Sequence, residues 1–355
     1  MSPRRRRSWR IPVGSRRAAA WLAVRILLIA LAVHLLLPQL AGLEASGRAL
    51  ARARRWWLLP LALGLEAASL LAYAELVRTV LRSAGQAVAR GLLQRVTVAG
   101  YALGRTLPGG SVAALAVVAT ELRGLGLPPA TTAAALAASG LLSAVVLALL
   151  LLVGVLLALL TGAGAGIALG VAGVAALLVI AALVARPTLQ RPRAFGRLAE
   201  RFAAVVARGP LRLRLDPAEV GDQVTEAAQG LGVLVRHPAT LATAGAWATA
   251  NWLLDLAVLI AIAATLGPGV PLWGLPLAYV LGQWTASLPL TPGGVGLVEP
   301  AMTAALVAAG VPAAVATASV LGWRLVSNWL PIGVGYALLA TLRGNHTRQR
   351  DVRPL

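Results

Sequence analysis

The sequence lacks cysteine and lysine altogether and has only three histidines among its 355 residues. Without cysteine, it has no disulfide, no thiolate metal site and no cysteine nucleophile. The histidines, His34, His237 and His346, are far apart in the chain, which disfavours a histidine-based metal site. No nucleotide-binding signature is present either. We therefore expect no metal and no cofactor, and we assign no catalytic residue.

Acidic residues are also scarce: 12 stand against 32 basic residues, all of them arginine, for a net charge of +20. The arginines occur at the ends of apolar segments and in the connections between them. That distribution is typical of attraction to anionic lipid headgroups and of control over membrane topology. We expect membrane lipids as partners and no nucleic acid.

Hydrophobic residues make up 59% of the chain, and the mean hydropathy is +0.80. Several apolar runs exceed the roughly 20 residues needed to cross a bilayer as a helix. An Ala/Leu/Val-rich stretch such as residues 133–160 is too apolar for a solvated helix. The composition predicts an all-α, polytopic transmembrane helical bundle.

Charge and hydropathy divide the chain into five regions. These are a basic N-terminus (1–17), a first transmembrane half (18–185), a basic linker (186–237), a second transmembrane half (238–342) and a basic tail (343–355). Within the linker, apolar residues recur at helical spacing among arginines, which predicts amphipathic helices on the membrane surface. The predicted apolar segments are 18–37, 56–81, 88–107, 111–122, 131–160, 167–185, 238–266, 272–288, 296–309 and 313–342.

A Pro-Gly-Gly sequence occurs in each half, at Pro108–Gly110 and at Pro292–Gly294, 184 residues apart. At the same offset Pro128 matches Pro312. Each copy consists of a span, two short segments around Pro-Gly-Gly and a long span, and the short pair either crosses twice or forms a re-entrant hairpin. With the N-terminus, linker and tail all cytoplasmic, the two copies run in opposite senses. The pattern predicts an inverted internal repeat, an arrangement found in transporters.

The second Pro-Gly-Gly sequence lies in the stretch 288–299, Leu-Pro-Leu-Thr-Pro-Gly-Gly-Val-Gly-Leu-Val-Glu. Its prolines end the preceding helix, and its glycines permit positive φ and close backbone approach. Glu299 follows in the first turn of the next segment, where a negative charge suits the exposed amides. The stretch is either a tight connection with a capping acid or part of a functional site.

From Arg236 to Leu342 the chain resembles the lysylphosphatidylglycerol synthase/flippase transmembrane family of bacterial and archaeal membrane proteins. Five sequences carry this resemblance. They are Arg-His-Pro at 236–238, Asn-Trp-Leu-Leu-Asp at 251–255, Ala-Tyr-Val-Leu-Gly at 278–282, the stretch 288–299 and Trp-Arg-Leu at 323–325. In the first half, Ser-Val-Ala-Ala at 111–114 stands where the family is expected to have an acidic residue. The resemblance implies movement of lipids between leaflets. Longer relatives add a soluble synthase domain, which we expect to be absent here, so we expect no enzymatic activity.

Only Asp255, Glu299 and Arg324 are ionisable between residues 238 and 342. Ionisable groups inside spans are costly and often mark substrate pathways. One interpretation is a structural Asp255–Arg324 or Glu299–Arg324 pair that joins helices. In the other, Arg324 binds a lipid phosphate, aided by backbone amides of the glycine turn, while the acids meet a cationic headgroup or take up protons. The candidate substrate-binding residues are Arg324, Glu299, Asp255, Thr291, Gly293, Gly294, Gly296, Asn328, Gln283 and Asn251.

These observations favour a flippase-like protein of the cell membrane, with cytoplasmic termini, that translocates a phospholipid or a lipid-linked saccharide. Two alternatives stay open: a non-transporting anchor for a lipid- or glycan-modifying enzyme, and an integral membrane lipid-head transferase. The sequence is compatible with either a second copy of the chain or a membrane enzyme as a protein partner. No group of acid, base and metal ligands on one face supports the transferase.

Overall fold

The computed structural model describes residues 55–106, 118–124, 126–160, 191–208, 236–267, 270–271, 274–287 and 291–351, with isolated positions between 217 and 234. Every regular element within these residues is a helix, which confirms the predicted all-α class. Proline stands at the first position of three helices, where its missing N–H costs no hydrogen bond. The helices are α1 (Leu58–Ser83), α2 (Arg90–Thr106), α3 (Pro129–Leu160), α4 (Pro192–Arg208), α5 (Pro238–Thr265), α6 (Gly274–Ser287), α7 (Val298–Ala308), α8 (Ala313–Arg324) and α9 (Leu330–Asp351).

Four of the described helices are long and apolar enough to cross a membrane: Leu58–Ser83, Thr131–Val153, Pro238–Thr265 and Ala313–Leu342. The last combines α8 and α9, which are joined by a π-helical segment, Leu325–Trp329. On α3 a stripe of large apolar side chains at helical spacing is about half exposed, as expected of a lipid-facing surface. The stripe consists of Leu141, Val145, Leu149, Val153 and Leu156.

The predicted segments 56–81, 88–107, 131–160, 238–266, 272–288, 296–309 and 313–342 all correspond to helices within a few residues. The predicted segments 18–37 and 167–185 lie outside the described residues, as does the sequence Pro108–Gly110. One difference is at the C-terminal end, where α9 continues to Asp351, past the predicted end of the span at residue 342.

Helices α1 and α5 pack against each other in opposite directions. Ala62, near the start of α1, shares a core with Val258 near the end of α5. Leu76, near the end of α1, shares a second core with Ala244 near the start of α5. Small side chains at this contact let the two backbones approach closely, which is how helices associate where lipid removes the hydrophobic driving force.

Helices α6 and α7 form a hairpin. Gly274 at the start of α6 lies against Ala309 just after α7, and Gly282 lies against Met302 midway along. Helix α6 has 14 residues and α7 has 11, so they are about 21 Å and 16 Å long. Neither reaches across a hydrocarbon core of about 30 Å. By length, α6 and α7 suit a re-entrant hairpin better than two complete crossings.

Candidate functional site

The tip of the hairpin is a turn, residues 291–296, fixed to the last span by an ion pair. Arg324 is 1% exposed and donates from Nε to Glu299 Oε1 at 2.8 Å. It also donates from Nη2 to the carbonyl of Gly293 at 3.0 Å. The other oxygen of Glu299 accepts the Gly296 N–H at 2.8 Å. One guanidinium and one carboxylate thus hold both sides of the tip turn against α8.

The tip turn requires glycine for two physical reasons. Gly293 and Gly294 have φ of 60° and 69°, in the region that side-chain-bearing residues rarely adopt. A Cβ at Gly293 would lie 2.7 Å from the carbonyl oxygen of Arg105, at the end of α2. A Cβ at Gly294 would lie 2.6 Å from Val298. Gly293 therefore lets the tip sit directly on α2, which leads into the Pro-Gly-Gly sequence of the first half, and Gly294 lets the turn pack on its own hairpin.

Asp255 lies in a separate buried cluster. Its Oδ2 accepts hydrogen bonds from Tyr279 at 2.9 Å and from Gln283 at 2.8 Å, both on α6. Its Oδ1 accepts from the indole of Trp323 at 2.9 Å. The predicted alternative of an Asp255–Arg324 pair is therefore wrong, because Arg324 turns to Glu299 and three neutral donors satisfy Asp255. These bonds fasten α5 to α6 and α8.

Glu66 on α1 is a member of this region that the candidate residues omit. Its Oε2 accepts a hydrogen bond from Ser327 at 2.9 Å, and it is 6% exposed. Ser327 also accepts, through its carbonyl, the Tyr101 hydroxyl at 2.6 Å. Ser327 is a neighbour of both Glu66 and Asp255. An acid in the middle of an apolar span can be recognised from the sequence alone. Its hydrogen-bond partner Ser327 cannot, because it lies 261 residues away.

Asn251 joins the two halves of the molecule. Its Nδ2 donates to Ser69 Oγ at 2.9 Å and to the Ser69 carbonyl at 3.1 Å. In return Ser69 Oγ donates to the Asn251 carbonyl at 3.0 Å. Asn251 and Gln283, both candidate substrate-binding residues, thus make interhelical hydrogen bonds, Asn251 to Ser69 and Gln283 to Asp255.

Asn328 and Thr291 differ from the other candidates because they lack partners among the described residues. Asn328 is 2% exposed, yet neither its amide nitrogen nor its amide oxygen has a hydrogen-bond partner there. The hydroxyl of Thr291, in the tip turn, is also buried and has no hydrogen-bond partner among the described residues. Buried polar groups nearly always have a hydrogen-bond partner, so a polar ligand would gain most binding free energy by bonding to Asn328 and Thr291.

Other polar residues form ion pairs within and between helices. Glu75 pairs with Arg78 at 2.8 Å, as expected for residues one turn apart, and also with Arg90 on α2 at 2.6 Å. Trp56 and Trp57 are more than half exposed, as is typical of interfacial anchors. Trp323, by contrast, is 3% exposed and donates a hydrogen bond to Asp255.

The described residues contain no group of three or more His, Cys, Asp or Glu side chains that would hold a metal ion. Arg324 and Glu299 form a buried ion pair at this site, whereas Asp255 and Glu66 accept hydrogen bonds from neutral groups. Amides, hydroxyls and the glycine-rich backbone supply further hydrogen-bonding groups.

A family model, described as the lysylphosphatidylglycerol synthase transmembrane region, matches residues 22–335. The match confirms the resemblance seen in the second half and extends it through most of the first half. No curated protein matches the sequence. Together with the four apolar spans, the match identifies the chain as an integral membrane protein that belongs to the lysylphosphatidylglycerol synthase transmembrane region family.

Proposed function

We propose that the protein is a flippase, with no chemistry of its own, that moves an anionic phospholipid or a lipid-linked saccharide between leaflets. The observation that carries this proposal is the α6–α7 hairpin, whose irregular tip is buried against α2 and α8. Irregular backbone within a membrane is tolerated only where protein covers it or where it lines a cavity. Transporters place such interrupted helices at their substrate sites.

The proposal includes an inverted repeat, which the contact between α1 and α5 supports. Ser69 and Asn251, 182 residues apart, each donate a side-chain hydrogen bond to the other's carbonyl. The same offset relates Ala62 to Ala244 and Leu76 to Val258, so it exchanges these members of one core with those of the other. Such exchange is what a two-fold axis between antiparallel helices produces.

Arg324 has a defined role in the proposal. In the present arrangement it is buried against Glu299 and the Gly293 carbonyl, so it holds the tip in place. A lipid phosphate presents oxygens much like those of a carboxylate, and a planar guanidinium binds either one. We propose that the phosphate takes the place of Glu299 during transport, and that this exchange frees the tip turn.

The orientation also belongs to the proposal. We place the termini and the arginine-rich linker in the cytoplasm of a cell-membrane protein, following the bias of arginine toward that side. The α6–α7 hairpin then enters from the outer face, because α5 begins next to the linker and ends on the opposite side. A hairpin of the first half would enter from the inner face.

The test is leaflet exchange of labelled lipids by the purified protein in vesicles. The variants are Arg324→Ala, Glu299→Gln and the double variant Glu299→Gln/Arg324→Gln. Each single variant leaves one buried charge unpaired, which costs about 3–5 kcal/mol of stability, and the double variant recovers much of that loss. We expect the double variant to fold with wild-type helix content and to lose at least about tenfold in exchange rate.

Exchange by the double variant at the wild-type rate would reduce the ion pair to a structural role. No exchange of anionic, aminoacylated or polyprenyl-linked lipid by the wild type would reject the flippase itself. An anchoring role for a partner enzyme would then be the next hypothesis, tested by deleting residues 191–214.

A further inference from the structure

A cavity of about 460 Å³ lies at the N-terminal end of α4, in the basic linker and outside the four apolar spans. Three arginines and a glutamine provide its polar lining, and no acidic residue lines it. The lining residues are Arg191, Pro192, Arg193, Ala194, Arg197 and Gln229. None of the contacts described for the candidate flippase site involves them.

The cavity exists because α4 packs closely on a helical part of the segment 217–234. A Cβ at Gly196 would overlap the Thr225 hydroxyl and lie 2.6 Å from the Gly221 carbonyl. Gly221 in turn faces Glu200, so the chain runs antiparallel to α4. Residues 221, 225 and 229 are spaced four apart and share one helix face. This register brings Gln229 to the start of α4, beside Arg193.

Within the described part of the chain, no carboxylate forms a salt bridge with the three arginines of this cavity, Arg191, Arg193 and Arg197. The described partner of Arg197 is the Arg193 carbonyl, which Nε approaches at 3.4 Å. Like charges gathered in one concavity repel each other, and the positive end of α4 adds to the same field.

We propose that this cavity is a binding site for a phosphate-bearing anion. Guanidinium groups bind phosphate through two parallel charge-assisted hydrogen bonds, and the glutamine amide supplies a neutral donor. At about 460 Å³, this open cavity has room for a phosphate and for a group attached to it. A phosphate with an attached group is therefore the expected ligand. It comes either from the headgroup of an anionic lipid or from a soluble phosphate ester.

The test uses the full chain in phosphatidylcholine nanodiscs and inorganic pyrophosphate as the probe, titrated by calorimetry at fixed ionic strength. We expect binding by the wild type and a loss of about tenfold or more in affinity for Arg193→Gln/Arg197→Gln. The matched control is Arg201→Gln/Arg123→Gln, which removes two exposed arginines that do not line the cavity. It should bind within about twofold of the wild type.

A second set of nanodiscs, containing phosphatidylglycerol, distinguishes a lipid headgroup from a soluble phosphate ester as the ligand. Weaker pyrophosphate binding in these discs, compared with phosphatidylcholine discs, supports the cavity and assigns it to a lipid headgroup. Unchanged binding supports the cavity and assigns it to a soluble phosphate ester. Two results overturn the proposal: no pyrophosphate binding in phosphatidylcholine discs, or equal weakening by both double variants, which would indicate a diffuse charge effect. Neither measurement depends on lipid exchange, so the outcome of this experiment is independent of the outcome of the flippase test.

Discussion

Two asparagines of the bundle, Asn251 and the fully buried Asn328, differ in the hydrogen bonds that their side chains make. Asn251 exchanges hydrogen bonds with Ser69, whereas Asn328 has no partner among the described residues. A buried amide without a partner costs about 1–3 kcal/mol. A residue of this kind is either a packing defect or a group that binds a ligand, and the two explanations predict different effects of its replacement.

We predict that Asn328→Leu leaves the unfolding temperature unchanged or raises it, because leucine has a similar volume and no polar group to satisfy. We also predict that it slows lipid exchange at least about tenfold, if the amide meets the headgroup as a hydrogen-bond partner. The chain has ten tryptophans, so thermal unfolding in detergent can be followed by fluorescence.

Asn251→Leu is the matched comparison. It removes the two hydrogen bonds that the Asn251 amide donates to Ser69 in the α1–α5 contact, so the free energy of unfolding should fall by about 1–3 kcal/mol. A drop in stability for Asn328→Leu as large as that for Asn251→Leu would mean that Asn328 has a protein partner, which would contradict the prediction.

At the scale of the element, the α6–α7 hairpin depends on how closely its parts approach. Gly294 faces Val298 and Ala286 of its own hairpin, and its φ is 69°. We predict that Gly294→Ala destabilises the protein by about 1–3 kcal/mol through overpacking and backbone strain. Exchange should fall as well, because the added Cβ forces the turn away from Val298 and Ala286.

Gly245→Ala on α5 serves as the control for that change, since nothing lies within 4 Å of its added Cβ. Alanine is a better helix former than glycine by about 1 kcal/mol, so this variant should be as stable as the wild type or more so. The two variants are compared by unfolding temperature and by exchange rate. Equal behaviour of the two would refute the tight contact at the tip.

At the scale of the whole molecule, the proposed inverted repeat fixes which loops face which side. Ala87, between α1 and α2, would face the cytoplasm, and Ala313, at the start of α8, would face outward; both are exposed. The chain has no cysteine, so Ala87→Cys and Ala313→Cys each introduce a single thiol. An impermeant maleimide added to intact cells should label the thiol at position 313 and leave that at position 87 unlabelled.

Permeabilised cells provide the control, in which both thiols should react. Labelling of both positions from the outside, or of neither, would exclude opposite orientations for the two halves. Lipid exchange by the same variants shows whether each retains the native fold.

Several features of this protein follow from the sequence because they depend on neighbours along the chain. Apolar runs of sufficient length predicted the spans, and the Pro-Gly-Gly sequence predicted the turn at 292–294. The Glu75–Arg78 pair, one helical turn apart, is of the same kind. Helix formation and turn geometry are set by residues within a few positions, so the order of residues is enough to find them.

The pairing of the buried polar groups was decided only by the tertiary structure. The sequence placed Asp255, Glu299 and Arg324 within one half but left their partners open, and Glu66 and Trp323 were missing from the candidates. Ser327 reaches Glu66 across 261 residues, and Asn251 reaches Ser69 across 182. Which groups meet depends on how α1, α5 and α8 pack, since a buried polar group takes whatever donor or acceptor the packing brings within about 3 Å.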